Sequence, residues 1–545
     1  MSAQMPPDEL HNVRLRHAGR PLAAILVLCG ATIITLPLVG GPPVTRLAVV
    51  LLAGLLLGLL IVRPWRWPRS DWELVANWAP TSRVVWIGAL VVGLVLFWIV
   101  LTRFRAGEIN AVDFTVYYDR PNFQTLQGRL LFVESADDVL RAQQSYLSVH
   151  AHWIMIPLAG FYAIHPTPLW VLGLSVAAVV IGAVYVLRIL QMLGICGLVA
   201  TASALAFVLN DNTARTLIYG FHVEVLYAWF IPWMLFAGLS RQRWKFLIAA
   251  VMCAAVKEDA FLPQAAASLA LALVAFRSMR SRDVLLYLIA PCAIALLNLA
   301  VYYGVLLPKL RQGGAFYANY WVSYGRTPML ALFGMLADPW RVLTTTLASG
   351  LFSKVLAPHC FLPLIGWRWT LGIVPIVLLY GASDNEQLRS FGIYYAIVLV
   401  PFLVLASAAG AMVVAQKLSR DPVQVRVVAA AVLVLGALFA GITNAGYSLR
   451  PWRPETAAVA GFVDQLRNEP VVLVQSGLYP HAGYDSRVQL LTMAAVADPK
   501  NAGAAMLLAP SISAWPLSHD ELDALTRVSP LPIADGLMVV RLPRR

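Results

Sequence analysis

Ionisable side chains lie inside or directly beside long apolar runs at four places in the chain. A charged group near hydrocarbon is costly, so such residues usually mark function. They are an aspartate before an aromatic run, a His-x-His pair, a His-x-Glu segment and a Lys-Glu-Asp triplet. In chain order they are Asp113, His150 and His152, His222 and Glu224, and Lys257, Glu258 and Asp259. Carboxylates, imidazoles and an ammonium are the groups of acid–base catalysis and of phosphate binding.

Each group admits a catalytic and a structural interpretation. Asp113 is a candidate general base, because a carboxylate can take the proton of an attacking hydroxyl, or it is an ordinary acid of a polar loop. Lys257 suits a phosphate as a point charge, or it belongs to a solvated turn. His222 and Glu224 face a cavity, or they form a structural pair. His-x-His is by itself a weak metal signal. All four groups converge on one membrane face, and this convergence indicates a single site.

Membrane helices are the elements that must position these residues. Of 545 residues, 59% are hydrophobic and only 13% are charged, whereas soluble domains average about 25% charged residues. Runs such as Leu22–Val44 and Leu47–Val62 carry almost no charge, and about 20 apolar residues cross a bilayer. The composition predicts an all-α polytopic membrane bundle of about 13 transmembrane helices and excludes an ordinary soluble enzyme.

The distribution of basic residues predicts the orientation. The net charge is +13, and most of the excess lies in short clusters between apolar runs, not on one soluble face as in a nucleic-acid binder. Under the positive-inside rule these clusters are cytoplasmic, so the N-terminus is predicted inside and no nucleic-acid partner is expected. Counting spans from there places all four ionisable groups, and the C-terminus, outside.

Four segments follow from this topology. They are a cytoplasmic N-terminus with three transmembrane helices over 1–102, an extracytoplasmic loop with the candidate acid over 103–150, a transmembrane core over 151–446, and a small extracytoplasmic α/β module over 447–545. The pattern predicts a helix over 136–147 in the loop and a span over 343–365. In the module it predicts helices over 454–467 and 519–527 and strands over 471–475, 504–509 and 536–542.

The polar segments resemble a bacterial membrane-protein family of unknown function, DUF2079. The matching segments are Asp113 with Asn122–Gly128, His152-Trp153 through Pro157, Phe221-His222-Val223-Glu224, Val256-Lys257-Glu258-Asp259, Phe361-Leu362-Pro363-Leu364 and Tyr394-Tyr395. The resemblance covers roughly residues 105–500. In its architecture the chain is also similar to the GT-C class of integral-membrane glycosyltransferases, which use polyprenyl-phosphate-linked sugars; this likeness is an analogy of fold.

The resemblance implies an inverting transfer of a sugar from a polyprenyl phosphate to an envelope glycan, lipid or protein acceptor outside the bacterial cytoplasmic (inner) membrane. It implies Asp113 as the base, with His222 and Glu224 orienting the sugar or the phosphate. The implied substrate-binding residues are His150, His152, Lys257, Glu258, Asp259, Arg311 and Arg389. A divalent cation, Mg²⁺ or Mn²⁺, could lie among these acids, although the sequence requires none.

One departure leaves the identity of the base open. The acid of GT-C enzymes commonly stands beside another polar residue, whereas Asp113 is followed by Phe114, and Asp119 lies six residues further on. Two other classes of function also stay open. A transporter or lipid flippase often has repeated halves with charges near the midplane, and no halves are evident here. A non-catalytic envelope assembly protein would not need the acids of the first loop.

Overall fold

A computed structural model shows a helical bundle with a β-sheet packed at one end. The structure describes residues 78–275, 280–312, 320–418, 420–443, 447–527, 531–532 and 536–543, together with Glu73. The spans predicted within residues 1–62 and the cytoplasmic N-terminus lie outside the described residues.

Within the described part, five helices are long and apolar enough to cross a membrane by length and composition. They are Ser82–Arg105, Leu169–Met192, Glu258–Ala275, Ser281–Leu310 and Val400–Lys417. Shorter apolar helices are Gly197–Leu209, Val223–Leu239, Leu371–Gly381 and Pro422–Val434. In hydrocarbon every backbone group must bond within its own segment, which favours helices for such sequences. A mostly helical membrane bundle is confirmed, whereas the count of about 13 spans stays a prediction.

Further short helices connect and flank these spans. Their bounds are Arg120–Leu126, Met155–Tyr162, Asp211–Tyr219, Arg243–Ala254, Pro328–Ala337, Pro339–Ser349, Leu362–Ile365, Glu386–Arg389, Pro454–Gln465, Met493–Ala497 and His519–Thr526. The helix that contains the apolar stretch Pro422–Val434 covers Pro422–Thr443, and a π-helix covers Val112–Asp119.

The span predicted over 343–365 is not one continuous α-helix. The α-helix Pro339–Ser349 ends at Gly350, and a π-helix over Leu351–Leu356 and a 3₁₀ turn over Ala357–His359 follow it. An α-helix resumes only at Leu362–Ile365. Between them Cys360 and Phe361 adopt left-handed backbone angles, with φ of 50° and 57°. Such angles end an α-helix, and hydrophobicity alone does not reveal them.

The helix predicted over 136–147 is wrong. That segment consists of turns and extended backbone, with one short 3₁₀ turn over Tyr146–Ser148. Its Asp137 accepts hydrogen bonds from the Tyr479 hydroxyl and from the Leu490 backbone N–H, the latter at 2.7 Å. These long-range contacts override the local helical tendency of the sequence.

The C-terminal sheet has five strands in the order β2-β1-β3-β5-β4. The strands are β1 Val472–Val474, β2 Val488–Leu490, β3 Ala505–Leu508, β4 Leu531–Pro532 and β5 Met538–Arg541. β1 pairs in parallel with β2 and β3, and β5 is antiparallel to β3 and β4. Three of these strands lie within the ranges predicted from the sequence, and Ser518 caps helix His519–Thr526.

The sheet and the loop between β1 and β2 bind the segment that follows helix Ser82–Arg105. Arg120 donates hydrogen bonds to the carbonyls of Val488 (3.0 Å) and Gly483 (2.9 Å), and its guanidinium lies 4.4 Å from the centre of the Tyr479 ring. The Tyr484 hydroxyl donates to Asp119 at 2.9 Å. The sheet and the first loop are therefore one packed unit.

We expect Arg120→Ala to weaken this docking, because a hydrogen bond to a charged group contributes about 1.5–3 kcal/mol. Arg541→Ala is the matched control, since Arg541 forms only a half-exposed ion pair with Glu469 (2.6 Å) and such pairs contribute less than about 1 kcal/mol. Thermal unfolding of the purified protein in detergent should show a lower midpoint for Arg120→Ala alone. Equal midpoints for the two variants would show that Arg120 does not stabilise the contact between the sheet and the first loop.

Candidate functional site

Asp113 is held in one orientation by a chain of hydrogen bonds. The Tyr219 hydroxyl donates to the Asp113 carboxylate and accepts from Nδ2 of Asn110 at 2.7 Å. The Asp113 backbone N–H bonds back to Oδ1 of Asn110 at 3.3 Å. Burial raises the pKa of Asp113, while nearby His222 and the Tyr219 hydrogen bond oppose that rise. The carboxylate is therefore a stronger base than a solvated aspartate.

Gly220 makes the turn that brings His222 next to this carboxylate. It follows helix Asp211–Tyr219 with φ of 111°, a conformation that side chains rarely adopt. A Cβ atom there would lie 2.5 Å from Cγ2 of Ile109. Only glycine fits, so the Tyr-Gly-Phe-His sequence couples Tyr219 to His222 through a tight turn.

A buried ionic network joins the ends of two spans. Nζ of Lys257 lies 2.8 Å from Oε1 of Glu224, and Nδ1 of His222 contacts the other carboxylate oxygen of Glu224. The Lys257 side chain is 13% exposed and that of Glu224 is 8% exposed. The His222 ring stacks on Tyr394 with 3.4 Å between centroids and 15° between planes. Charges so poorly hydrated depend on one another for compensation.

The rest of the Lys-Glu-Asp triplet reaches the first loop and the surface. Glu258 accepts from the Ala151 backbone N–H at 2.9 Å and lies 2.8 Å from Nδ1 of His150. Asp259 lies 3.9 Å from Nζ of Lys257, and its side chain is 36% exposed. The network therefore opens to the surface at Asp259.

His152 is a structural member of this group. Its Nδ1 lies 2.6 Å from the carbonyl oxygen of Val256, and a carbonyl only accepts, so Nδ1 carries the proton. Burial lowers the pKa of His152 to about 3, so the ring is neutral. It ties the returning loop to the turn that carries Lys257.

Aromatic contacts connect Asp113 to the lysine network. The Tyr394 ring lies 5.2 Å from the ring of Tyr219 and stacks on His222. A continuous run of contacts thus extends from Asp113 through Tyr219, Tyr394, His222 and Glu224 to Lys257. We call the eight predicted residues that meet here the ionic cluster: Asp113, His150, His152, His222, Glu224, Lys257, Glu258 and Asp259.

Two predicted residues have other surroundings. Nη1 of Arg311 donates to the carbonyls of Arg141 (3.1 Å) and Ser148 (3.5 Å), so Arg311 braces the first loop. Arg389 ends the short helix Glu386–Arg389. A phosphate-binding role for either arginine stays a prediction.

Sequence reasoning missed the parts played by Asn110, Tyr219 and Tyr394. Tyr394 was part of a matching segment with no role attached. Tyr219 stands three residues before His222 and is followed directly by a glycine. This position before the His-x-Glu segment is the sequence feature that could have identified Tyr219.

The ionic cluster does not fit a resident divalent cation. Glu224 is paired with Lys257 and His222, Glu258 with His150, and Asp113 accepts from Tyr219. In the described ranges no three His, Cys, Asp or Glu side chains are arranged to share a metal ion. A cation among these acids would compete with the Lys257 ammonium for Glu224.

An apolar groove of about 480 Å³ lies beside the first loop, between helices Ser82–Arg105, Met155–Tyr162 and Leu169–Met192. Its lining includes Phe97, Leu158, Phe161, Tyr162, Trp170 and Leu174. The Tyr162 hydroxyl donates to Asp119 at 2.7 Å, and Asp119 ends the π-helix that begins beside Asp113. The groove therefore adjoins the helix that carries the candidate base.

Removing the Lys257 charge should destabilise the protein strongly. Breaking a buried ion pair by deleting one partner costs about 3–5 kcal/mol, because an uncompensated charge is left behind. We expect Lys257→Met to lower the thermal unfolding midpoint more than the double variant Lys257→Met/Glu224→Gln, which removes both charges. A double variant less stable than the single one would show that Glu224 is not compensated mainly by Lys257.

Comparison with known proteins supports the family resemblance. A family model described as "Predicted membrane protein (DUF2079)" matches residues 108–495. No curated protein matches the chain.

Two solved structures are distantly similar to this chain. ArnT from Cupriavidus metallidurans, in a crystal structure bound to undecaprenyl phosphate, is 12% identical, with a TM-score of 0.45 over 85% of this chain and 98% of that chain. The arabinofuranosyltransferase AftD from Mycobacteria is 14% identical, with a TM-score of 0.45 over 86% of this chain and 40% of that chain. Both likenesses are too distant to assign an activity.

Proposed function

We propose that this chain, which belongs to the DUF2079 family of membrane proteins, is an integral-membrane glycosyltransferase that moves a sugar from a polyprenyl-phosphate donor to an extracytoplasmic acceptor. One observation supports this most: an oriented carboxylate, Asp113, and a buried ammonium, Lys257, end the same run of contacting side chains. Displacement of a phosphate by a hydroxyl needs a base on one side and a cation on the other.

In the proposed reaction an acceptor hydroxyl attacks the anomeric carbon of the donor sugar. The new C–O bond forms while the bond from that carbon to the phosphate oxygen breaks, and the bonding electron pair leaves with the polyprenyl phosphate. Asp113 takes the proton of the attacking hydroxyl. Because the displacement is direct, the anomeric configuration inverts.

Lys257 would balance the charge that develops on the leaving phosphate. Its ammonium already contacts Glu224 and Asp259, at 2.8 and 3.9 Å, so it keeps its charge in a poorly hydrated place. A cation that does not reorient during the reaction stabilises a developing anion more than a mobile one. Glu224 and His222 would orient the sugar, with Tyr394 holding the His222 ring in position.

The apolar groove would take part of the donor's lipid chain. Its volume of about 480 Å³ is within the usual range for ligand pockets, and it faces two of the candidate spans. Tyr162 and Asp119 connect its wall to the π-helix of Asp113. The acceptor would be an envelope glycan, lipid or protein on the outer side of the inner membrane.

Asp113→Asn should reduce sugar transfer by about 10²–10⁴-fold, which is the usual contribution of a general base. The assay is transfer from a polyprenyl-phosphate-linked sugar to envelope material in membrane vesicles. Glu134→Gln is the matched control, because Glu134 belongs to the same loop and its carboxylate contacts Arg129 (2.9 Å) and Gln124 (3.5 Å). If Asp113→Asn retains activity and Asp119→Asn loses it, Asp119 is the base.

Tyr219→Phe should shift the acid limb of the pH–rate profile to higher pH. The Tyr219 hydrogen bond lowers the pKa of Asp113 against the effect of burial. Without it that pKa rises further, so the carboxylate is protonated, and inactive as a base, over a wider range of pH. Activity at alkaline pH should be largely retained. An unchanged acid limb would show that Tyr219 does not act on the base.

A further inference from the structure

Helix Pro328–Ala337 presents an apolar stripe that no other described element covers. Met329, Phe333 and Leu336 recur at helical spacing, and they are 61%, 60% and 69% exposed. The helix itself contains no charged residue. Contiguous exposed apolar surface marks a contact with lipid or with another protein.

The opposite side of this helix is packed closely, and this decides which face points outward. Ala331 is 4% exposed. A Cβ atom on Gly334 would lie 2.0 Å from the carbonyl oxygen of Tyr324, so the helix rests directly on the backbone of the preceding segment. The apolar stripe is therefore turned outward by packing of small residues on the inner face.

Polar groups bound the helix at both ends. The Thr327 side chain caps its start by accepting from the Leu330 N–H at 3.3 Å, and Asp338 begins the next helix by accepting from the Arg341 N–H at 3.0 Å. Arg326 is exposed at the first end, and Arg341 lies at the second. Basic residues that flank an apolar helix match the phosphates of lipid head groups.

We propose that Pro328–Ala337 is a lipid-embedded helix that enters one leaflet of the membrane and turns its Met329–Phe333–Leu336 stripe to the lipid chains. Its 10 residues extend about 15 Å, half of the roughly 30 Å hydrocarbon core, so it cannot span. Membrane lipid is the occupant that fits, because the exposed apolar surface continues onto Trp340 and Leu347 of the next helix. Embedding of this helix in lipid does not depend on glycosyltransferase activity.

Nitroxide spin labels can test this in the full chain. Single cysteines at Met329, Phe333 and Leu336 would be introduced into a variant whose five native cysteines are replaced, labelled, and reconstituted into phosphatidylethanolamine–phosphatidylglycerol vesicles. Leu94, 61% exposed on the span Ser82–Arg105, is the hydrocarbon reference, and Met493, 42% exposed beside the sheet, is the aqueous reference. The ratio of oxygen to nickel-chelate accessibility is measured by power saturation.

We expect all three stripe positions to give ratios close to that of Leu94 and several-fold above that of Met493. Ratios equal to that of Met493 would place the helix in water and overturn the proposal. Labels protected from both oxygen and the nickel chelate would show that protein, such as a second copy of the chain, covers the stripe, which also overturns it. Unlabelled variants should unfold at the temperature of the cysteine-free parent.

Discussion

Compensation of the Lys257 ammonium is the interaction on which the site depends. A poorly hydrated charge costs several kcal/mol unless it is paired, and Lys257 meets this requirement through Glu224 at 2.8 Å. That pair joins the turn before helix Phe261–Ala275 to the start of helix Tyr227–Leu239. His222 then completes the pairing of Glu224, and Tyr394 stacks on His222. Each of these side chains is thus held in place by the preceding one, from Lys257 to Tyr394.

The first loop is held from two sides. On the membrane side His150 contacts Glu258, and His152 bonds to the Val256 carbonyl. On the other side Arg120 and Asp137 bond to the sheet. The carboxyl ends of parallel strands commonly bind ligands, but here the loop after β1 and strand β2 hold the segment that carries Asp113. The sheet thus contributes to the site by positioning it.

The sequence identified the residues of the ionic cluster better than it predicted the connections around them. Ionisable residues in apolar surroundings are rare and costly, so the eight residues of the ionic cluster stood out without a structure. Long-range contacts left no comparable signal: the turns over 136–147 form because Asp137 bonds to the sheet, and the break at Cys360 and Phe361 depends on backbone angles. Tyr219 and Tyr394 were missed because tyrosine is common at membrane interfaces, so composition gave no reason to select them.

The most direct test of the proposed sugar transfer is the identity of the lipid that the chain retains when the proposed base is removed. The Asp113→Asn variant, purified in mild detergent, would be extracted and its lipids identified by mass spectrometry beside those of the Glu134→Gln control. We predict that Asp113→Asn retains a polyprenyl-phosphate-linked sugar, because the donor binds but its sugar is not transferred. Recovery of bulk phospholipid alone from both variants would contradict it.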